Sequence, residues 1–342
     1  MNEVKLMSPY VVYFGDVQEI AYAKTGLGLI HWRREDCIAQ AGLPNCRVES
    51  GLPNLTIDQA FEAGAKSLVI GVAPAGGVMP RQWIDDILLA ARLGLDIVSG
   101  MHTRLNSIPE LAAAADRSGA CLIDVRQSPE NLVVGNGEKR SGRRVLTVGT
   151  DCAVGKKYTA LAIEREMRAR NWKADYRATG QTGIMIAGSG IPIDAVVSDF
   201  VSGAAETISP AADDDHWDII EGQGALSHPS YAGVSLGLLH GSQPDALVLC
   251  HDASRTCIQS LKAELFPLPS FKDAMDLALA HARCVNKNAR FVGLSVNTSR
   301  IDPNERVDLL NRYREETKLP VADPIIDGVS DIVDRIHEEF GE

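Results

Sequence analysis

Residues 149–157 read Gly-Thr-Asp-Cys-Ala-Val-Gly-Lys-Lys. Two lysines closing a turn of small residues suit an anion, because backbone amides converge in such a turn and a following helix adds the positive end of its dipole. A phosphate is the expected guest, with Lys156 supplying a full charge beside it. A second polar run, Glu221-Gly-Gln-Gly-Ala-Leu-Ser-His228, sets a carboxylate, an amide, a hydroxyl and an imidazole on a glycine-rich loop. Carboxylates and imidazoles move protons in catalysis, and glycines let a substrate approach the backbone. Taken singly, Glu221 reads equally as a structural ion-pair partner and His228 as a satisfied surface histidine.

These runs need elements to hold them. RVLTVG (144–149) reads as a strand, and KKYTALAIEREMRAR as a helix with apolar and charged faces, so the lysine turn joins strand to helix. That is the setting of a phosphate-binding P-loop. Two positions depart from G-x-x-x-x-G-K-[ST]. Thr150 stands where the first glycine belongs, with Gly149 one residue earlier, and Lys157 replaces the serine or threonine whose hydroxyl holds magnesium. The second departure removes the metal's hydroxyl and leaves anion binding intact. The expected binding run is Gly149, Thr150, Asp151, Cys152, Ala153, Val154, Gly155, Lys156, Lys157 and Tyr158.

Strand patterns recur at 173–179, 217–222, 245–250 and 290–297, with helices near 155–170, 232–240, 271–285 and 303–316. Ligands of open α/β sheets sit beyond the carboxyl ends of strands, so Glu221, Gln223 and Asn297 are expected beside the P-loop. The first part of the chain alternates in the same way. SLVIGVA (67–73) leads into PAGGVMP, where Gly76 and Gly77 would let a ligand approach, and then into a helix spaced by Trp83, Ile84, Ile87, Leu88 and Ala91. DIVSG (96–100) and ACLIDV flank PELAAAADRSG, for which Ser107 and Glu110 suggest a capping box. The alternation favours parallel sheets covered by helices.

A length of 342 residues exceeds what one hydrophobic core holds, and the apolar periodicity stops between Gln127 and Arg144. Two α/β domains are expected: an N-terminal Rossmann-like parallel-sheet domain over 1–135, followed by a P-loop NTPase-like domain over 136–342. The net charge of -11 opposes wholesale nucleic-acid binding, which needs cations to displace counterions. No run approaches a membrane span and no export signal opens the chain, so a cytoplasmic protein is expected. The seven cysteines are scattered without CxxC spacing, which indicates neither disulfides nor a zinc site. Cys152 reads as a small residue tolerated by a tight turn. Cys250 and His251 are strand neighbours that point to opposite faces, and Asp213, Asp214 and Asp215 before His216 read as a solvated run.

GTDCAVGKK resembles the GTD-x-x-VGKT loop of dethiobiotin synthetases, EGQG resembles their magnesium-binding EGAG loop, and Asn297 is similar to their adenine-recognising asparagine. That likeness covers the second domain. A resemblance across nearly the whole chain rests on VIGVAPAGGVMP, IVSGMHTRL, VGTDCAVGKKYTAL, GQTGIMIAGSGIPIDAVVSDFVSGAAE and EGQGALSHPSYAGVSLGLLHGSQPDALVLCHD. These look like the DgcN-type D-glutamate N-acetyltransferases, formerly a domain of unknown function. The resemblance implies transfer of acetyl from acetyl-CoA to the amino group of D-glutamate. A CoA donor brings phosphates but no γ-phosphate to transfer, which suits two lysines without a magnesium hydroxyl. Such a transfer needs a base, for which Glu221 and His228 are candidates, and oxyanion donors, for which the amides of Gly222 to Gly224 are candidates. A dicarboxylic acceptor calls for cationic or hydroxyl partners: Arg255, Arg104, His102 and Ser202, with Gln223 and Ser227 of the glycine loop. No metal is expected in this reading. The competing expectation is a Mg-ATP-dependent ligase or kinase of the dethiobiotin synthetase type, with Glu221 on magnesium and Thr159 or Thr150 replacing the missing hydroxyl. A non-catalytic nucleotide-sensing module is a third. The expected partners are a small amino acid and acetyl-CoA, with no nucleic acid and no membrane, in a homo-oligomer.

Overall fold

A computed structural model describes residues 4, 6–72, 78–259, 261–262 and 265–341. The chain divides into two compact units, Asn2–Ser128 with Gly180–Pro192, and Pro129–Thr179 with Ile193–Glu342.

The first unit carries strands β1 (Tyr10–Tyr13), β2 (Cys37–Ala41), β3 (Ser67–Ile70), β4 (Asp96–Ser99) and β5 (Leu122–Asp124), and helices α1 (Lys24–Trp32), α2 (Ile57–Glu62), α3 (Ile84–Arg92) and α4 (Pro109–Ser118). All the strand pairs are parallel, in the order β2-β1-β3-β4-β5. β1 and β3 are buried at every position, as strands covered on both faces must be. The expected capping box at Ser107 does not form. Ser107 lies in a 3-10 turn and its hydroxyl donates to Arg104 O, while α4 starts at Pro109, whose missing N–H and fixed φ suit a first helical position. The Gly76–Gly77 loop lies outside the described residues.

The second half of the chain runs β6 (Arg143–Gly149), α5 (Lys156–Ala169), β7 (Lys173–Arg177), α6 (Gln181–Ala187), α7 (Val201–Ile208), β8 (His216–Ile220), α8 (Ala232–Ser242), β9 (Ala246–Asp252), α9 (Phe271–Ala282), β10 (Arg290–Asn297), α10 (Pro303–Thr317), β11 (Val321–Ala322) and α11 (Ser330–Phe340). Its six strands form one parallel sheet, β11-β10-β9-β6-β8-β7. The two-sheet parallel α/β class expected from alternation is the one observed. α6 is counted with the first unit: Thr182 donates to the Thr25 hydroxyl of α1 at 3.3 Å, and Gly188 O accepts from Val4 N at 2.8 Å. Among the described residues no helix is long and apolar enough to cross a membrane.

β6 is the central strand and pairs with β8 on one side and β9 on the other. The chain leaves β6 for β7 beyond β8, so the connections part at the carboxyl end of β6. Such a switch point is where open α/β sheets bind ligands. Gly149, Glu221 and Asn297 all stand at or just past the carboxyl ends of strands in this sheet.

Candidate active site

The P-loop begins at Gly149 because nothing larger fits. A Cβ there would stand 2.7 Å from Asp151 O and 2.9 Å from Lys156 Nζ. The loop then rises through Ala153 and Gly155, with φ of 52° and 108°, and Gly155 caps the N-terminus of α5. Thr150 ties it to the sheet twice, through its N–H to Cys250 O at 3.0 Å and its hydroxyl to His251 Nδ1 at 3.0 Å. Burial pulls His251 down to about 4, so the ring is neutral at physiological pH. Phe271 and Tyr313 pack edge-on against it, with centroids at 5.0 and 5.9 Å. Cys250 faces the other way, its thiol 3.4 Å from the Thr159 hydroxyl and pushed up by burial to about 11. Strand alternation therefore separates these two neighbours, as expected.

Charge in the loop is braced. Asp151 is fully buried, and its carboxylate accepts from Cys152 N at 2.6 Å, Arg255 Nη1 at 2.7 Å and Gln259 N at 2.8 Å. Arg255 also donates to Cys152 O at 2.6 Å and Ala153 O at 3.3 Å. Lys156 arches back over the turn to Asp151 O at 2.8 Å, and burial lowers its pKa below the usual lysine value. Lys157, one residue on, lies with its Nζ 4.8 Å from the Tyr158 ring centre.

The glycine loop 221–228 is held against this turn by backbone proximity. Gly222 N donates to Thr147 Oγ1 at 2.9 Å, and a Cβ on Gly222 would lie 1.7 Å from Thr147 O and 3.1 Å from Lys156 Cδ. Glu221 is buried, and its carboxylate accepts from Tyr176 Oη at 2.8 Å and Thr179 N at 3.1 Å. Burial and the Glu221 charge together hold the Tyr176 hydroxyl well above its ordinary pKa, so it stays a donor. Gln223 Nε2 donates to Thr179 Oγ1 at 3.1 Å, and Ser227 Oγ reaches Thr150 O at 3.4 Å. His228 is buried with its ring 4.6 Å from that of Tyr231, and its Nδ1 accepts from Ser230 N at 3.1 Å. A neutral imidazole that accepts at Nδ1 carries its proton on Nε2, so the far side of His228 is a donor.

The loops meet at Asp151, Cys152 and His228, whose oxygen, sulfur and nitrogen ligand atoms lie within 4.8 Å of one another. The sequence contained no signal for this approach of Cys152 to His228, which only the tertiary fold creates. These donor types could hold a transition metal, yet Arg255 already occupies the Asp151 carboxylate and Lys156 lies beside the same turn. Burial raises the Cys152 thiol above its usual value.

Beside Gly149 and Gly222–Ser227 opens a cavity of about 100 Å³, walled by Leu146 and Val148 of β6, Leu238 and Leu239 of α8, and Ala274 and Leu277 of α9.

Several residues expected at the site have other partners. Ser202 donates to Gly237 O at 2.9 Å where α7 meets α8. There a Cβ on Gly241 would lie 2.1 Å from Ser202 O, so the hydroxyl belongs to a close helix contact. Arg255 pairs with Asp151 and braces the loop. Gly222 N is engaged by Thr147 and so leaves the set of oxyanion donors. The two hydroxyls that could have replaced the missing magnesium ligand are both engaged: Thr150 with His251, and buried Thr159 with Gly155 O at 3.1 Å and Ser295 Oγ at 2.7 Å. Asn297 ends β10, its Oδ1 accepting from Ser299 N at 3.1 Å and its Nδ2 3.5 Å from Asp252 Oδ2. His102 and Arg104 are exposed on the loop after β4, in the first unit. Asp213 and Asp215 pair with Lys173 on the surface, which fits a solvated run.

Comparison with known proteins gives the chain a family. Residues 133–333 match a family profile described as the P-loop domain of DUF1611, and residues 43–128 match its N-terminal Rossmann-like domain. A protein of Tritonibacter scottomollicae named D-glutamate N-acetyltransferase is 44% identical over 96% of this chain and 98% of its own. A Pseudoalteromonas protein of the same name is 44% identical over 96% of this chain and 99% of its own. The crystal structure of a DUF1611 family protein from Anabaena variabilis superposes with a TM-score of 0.87 at 32% identity, covering 96% of this chain and 99% of that one. With both domains matched in order and relatives aligned from end to end, the chain belongs to the DUF1611 family.

Proposed function

We propose that the protein transfers the acetyl group of acetyl-CoA to the amino group of D-glutamate. The observation that carries this reading is the 44% identity, over 96% of the chain, to two relatives named for that activity. The loop chemistry agrees with it. A CoA thioester brings phosphates that backbone amides, Lys156 and Lys157 can hold without a bound metal, and it asks for no phosphoryl transfer.

In the reaction the amine attacks the thioester carbonyl. A C–N bond forms, the carbonyl oxygen takes negative charge, and the C–S bond breaks as the carbonyl returns. The substrate ammonium gives up two protons, of which one ends on the CoA thiol and one reaches solvent. Glu221 is the better base of the two candidates. Its carboxylate is buried and oriented by Tyr176 and Thr179, whereas the tautomer of His228 presents an N–H on the side away from Ser230. His228 Nε2–H is suited instead to the oxyanion, which backbone donors of the glycine loop would share. Gln223 and Ser227 line the approach as acceptor contacts. Asn297 is assigned to the adenine end of the donor. A cytoplasmic homo-oligomer belongs to the same proposal.

Calorimetric titration with acetyl-CoA and, separately, with Mg-ATP tests the donor, and a free-thiol assay with D- and L-glutamate tests the acceptor. The expected result is acetyl-CoA binding with thiol release on adding D-glutamate only. Tight Mg-ATP binding with no acetyl-CoA heat would overturn the proposal.

A further inference from the structure

The cavity beside the P-loop plays no part in the reading of the loop as a phosphate holder, and its lining is unusual for a site so close to one. Gly149 belongs both to the P-loop turn and to the cavity wall, and Gly222–Ser227 line the same cavity, so the two spaces adjoin. Much of the remaining lining is aliphatic. The polar side chains that line the cavity each have a protein partner: Thr147 Oγ1 donates to Ile220 O and accepts from Gly222 N, Gln223 Nε2 donates to Thr179 Oγ1, Ser235 Oγ donates to Gln223 O at 2.7 Å, Ser227 Oγ reaches Thr150 O, and Asp273 accepts from Ser270 Oγ at 2.7 Å. A group that needs hydrogen bonds would find little there, whereas an alkyl group loses nothing by entering. The size is also informative. An apolar cavity of roughly 150 Å³ takes a benzene ring, so about 100 Å³ admits only a few heavy atoms.

We infer that this cavity receives the acyl end of the thioester donor and limits it to short chains. The inference rests on the acyltransferase reading, and deepens it by assigning donor selectivity to the α8–α9 side of the sheet. The P-loop would anchor the phosphate end while Leu238, Leu239, Ala274 and Leu277 surround the methyl end. His228 would then face the carbonyl oxygen and Glu221 the attacking amine.

Two variants on α9 test it. Leu277 is 38% exposed, so Leu277→Ala enlarges the cavity with little risk to the fold. Ala274→Phe fills it. Kinetics with acetyl-, propionyl-, butyryl- and octanoyl-CoA, and binding of the same thioesters by calorimetry, give the readouts. Adenosine 3',5'-bisphosphate, which lacks the pantetheine and acyl parts, reports on the phosphate site alone. Wild-type protein is expected to favour acetyl- over octanoyl-CoA. Leu277→Ala should raise the butyryl-to-acetyl ratio of kcat/KM about 10-fold, the scale of one or two methylenes in a fitted pocket. Ala274→Phe should raise KM for acetyl-CoA about 10-fold or more and leave bisphosphate affinity unchanged. Unaltered chain-length selectivity in both variants, in a protein that still turns over acetyl-CoA, overturns the cavity assignment alone. Chain-length-dependent thioester binding without thiol release overturns the acetyl-transfer reading and supports the cavity. Absence of thioester binding overturns both.

Discussion

The P-loop and the glycine loop lie side by side at the carboxyl end of the same sheet but are built by opposite means. The P-loop concentrates charge and braces it in advance: Asp151 holds Arg255, Arg255 holds two loop carbonyls, and Lys156 rests on a third. The glycine loop relies on closeness, with Gly222 against Thr147 O and Gly224 in a left-handed turn at φ 64°. Charge placed near a ligand needs partners whether or not the ligand is there, since an unpaired buried ion is costly. A loop that brings backbone to a substrate needs only the lack of a side chain. One half of the site should therefore fail by losing a partner, and the other by gaining an atom.

Losing a partner should give the larger effect. Arg255→Ala strands the buried Asp151 carboxylate with only two backbone donors, which predicts a loss of ~3 kcal/mol or more in unfolding free energy. Denaturant unfolding at pH 7 measures it. Adding Asp151→Asn to the same variant should recover much of the loss, because the uncompensated charge is then gone. A single variant within 0.5 kcal/mol or so of wild type would remove the brace from the account.

Gaining an atom comes next. Gly222→Ala must push the 221–228 loop off β6, because no side-chain rotation relieves an overlap with a backbone oxygen. Overpacking of this kind predicts ~2–3 kcal/mol of destabilisation. Loss of thiol-release activity should exceed the loss of stability, since Glu221 moves with the loop. Wild-type turnover in this variant would show that the close approach does not set the position of Glu221.

A third effect lies beneath the charged half. His251 is neutral under Thr150, its pKa drawn from 6.5 to about 4 by burial. Below pH 6.5 the unfolded chain takes up a proton that the folded chain resists, so stability falls as pH drops from 6.5 toward 4 and levels off below. At about 1.4 kcal/mol per pH unit the loss is ~3 kcal/mol at most. His251→Asn should be less sensitive to acid than wild type across that window, which unfolding midpoints at pH 7 and pH 4.5 compare. Equal losses in the two proteins would place the acid sensitivity elsewhere.

The sequence foreshadowed the halves unequally. The P-loop was legible because its strand, turn and helix are contiguous, and the parallel sheets because alternation repeats. β1 and β2 leave little trace in the sequence: YVVY is four residues long and, buried throughout, has no alternation to reveal it. Partners distant in sequence were the hardest to foresee. An arginine after a strand gives no sign that it will turn to Asp151 rather than to a substrate carboxylate, and Ser202 gives none that a glycine opposite will draw its hydroxyl into a helix contact. His228 was identifiable as a candidate, but its tautomer depends on Ser230 N, a local contact that only the folded loop defines.

The smallest effect discriminates most sharply between donors. Lys157 occupies the place of a magnesium-binding hydroxyl, is only half-buried, and lies over the Tyr158 ring. A charge so exposed contributes up to ~1 kcal/mol, so Lys157→Thr should weaken acetyl-CoA binding about 3-fold. The same change restores the hydroxyl of a nucleotide-binding P-loop. If the loop were built for Mg-ATP, the variant would bind that nucleotide better than wild type, and calorimetry would register the gain directly. With Thr150 and Thr159 engaged elsewhere and Arg255 fixed on Asp151, a single restored hydroxyl should not raise Mg-ATP affinity. Weaker acetyl-CoA binding together with unchanged Mg-ATP binding separates a phosphate-holding loop from a phosphoryl-transferring one.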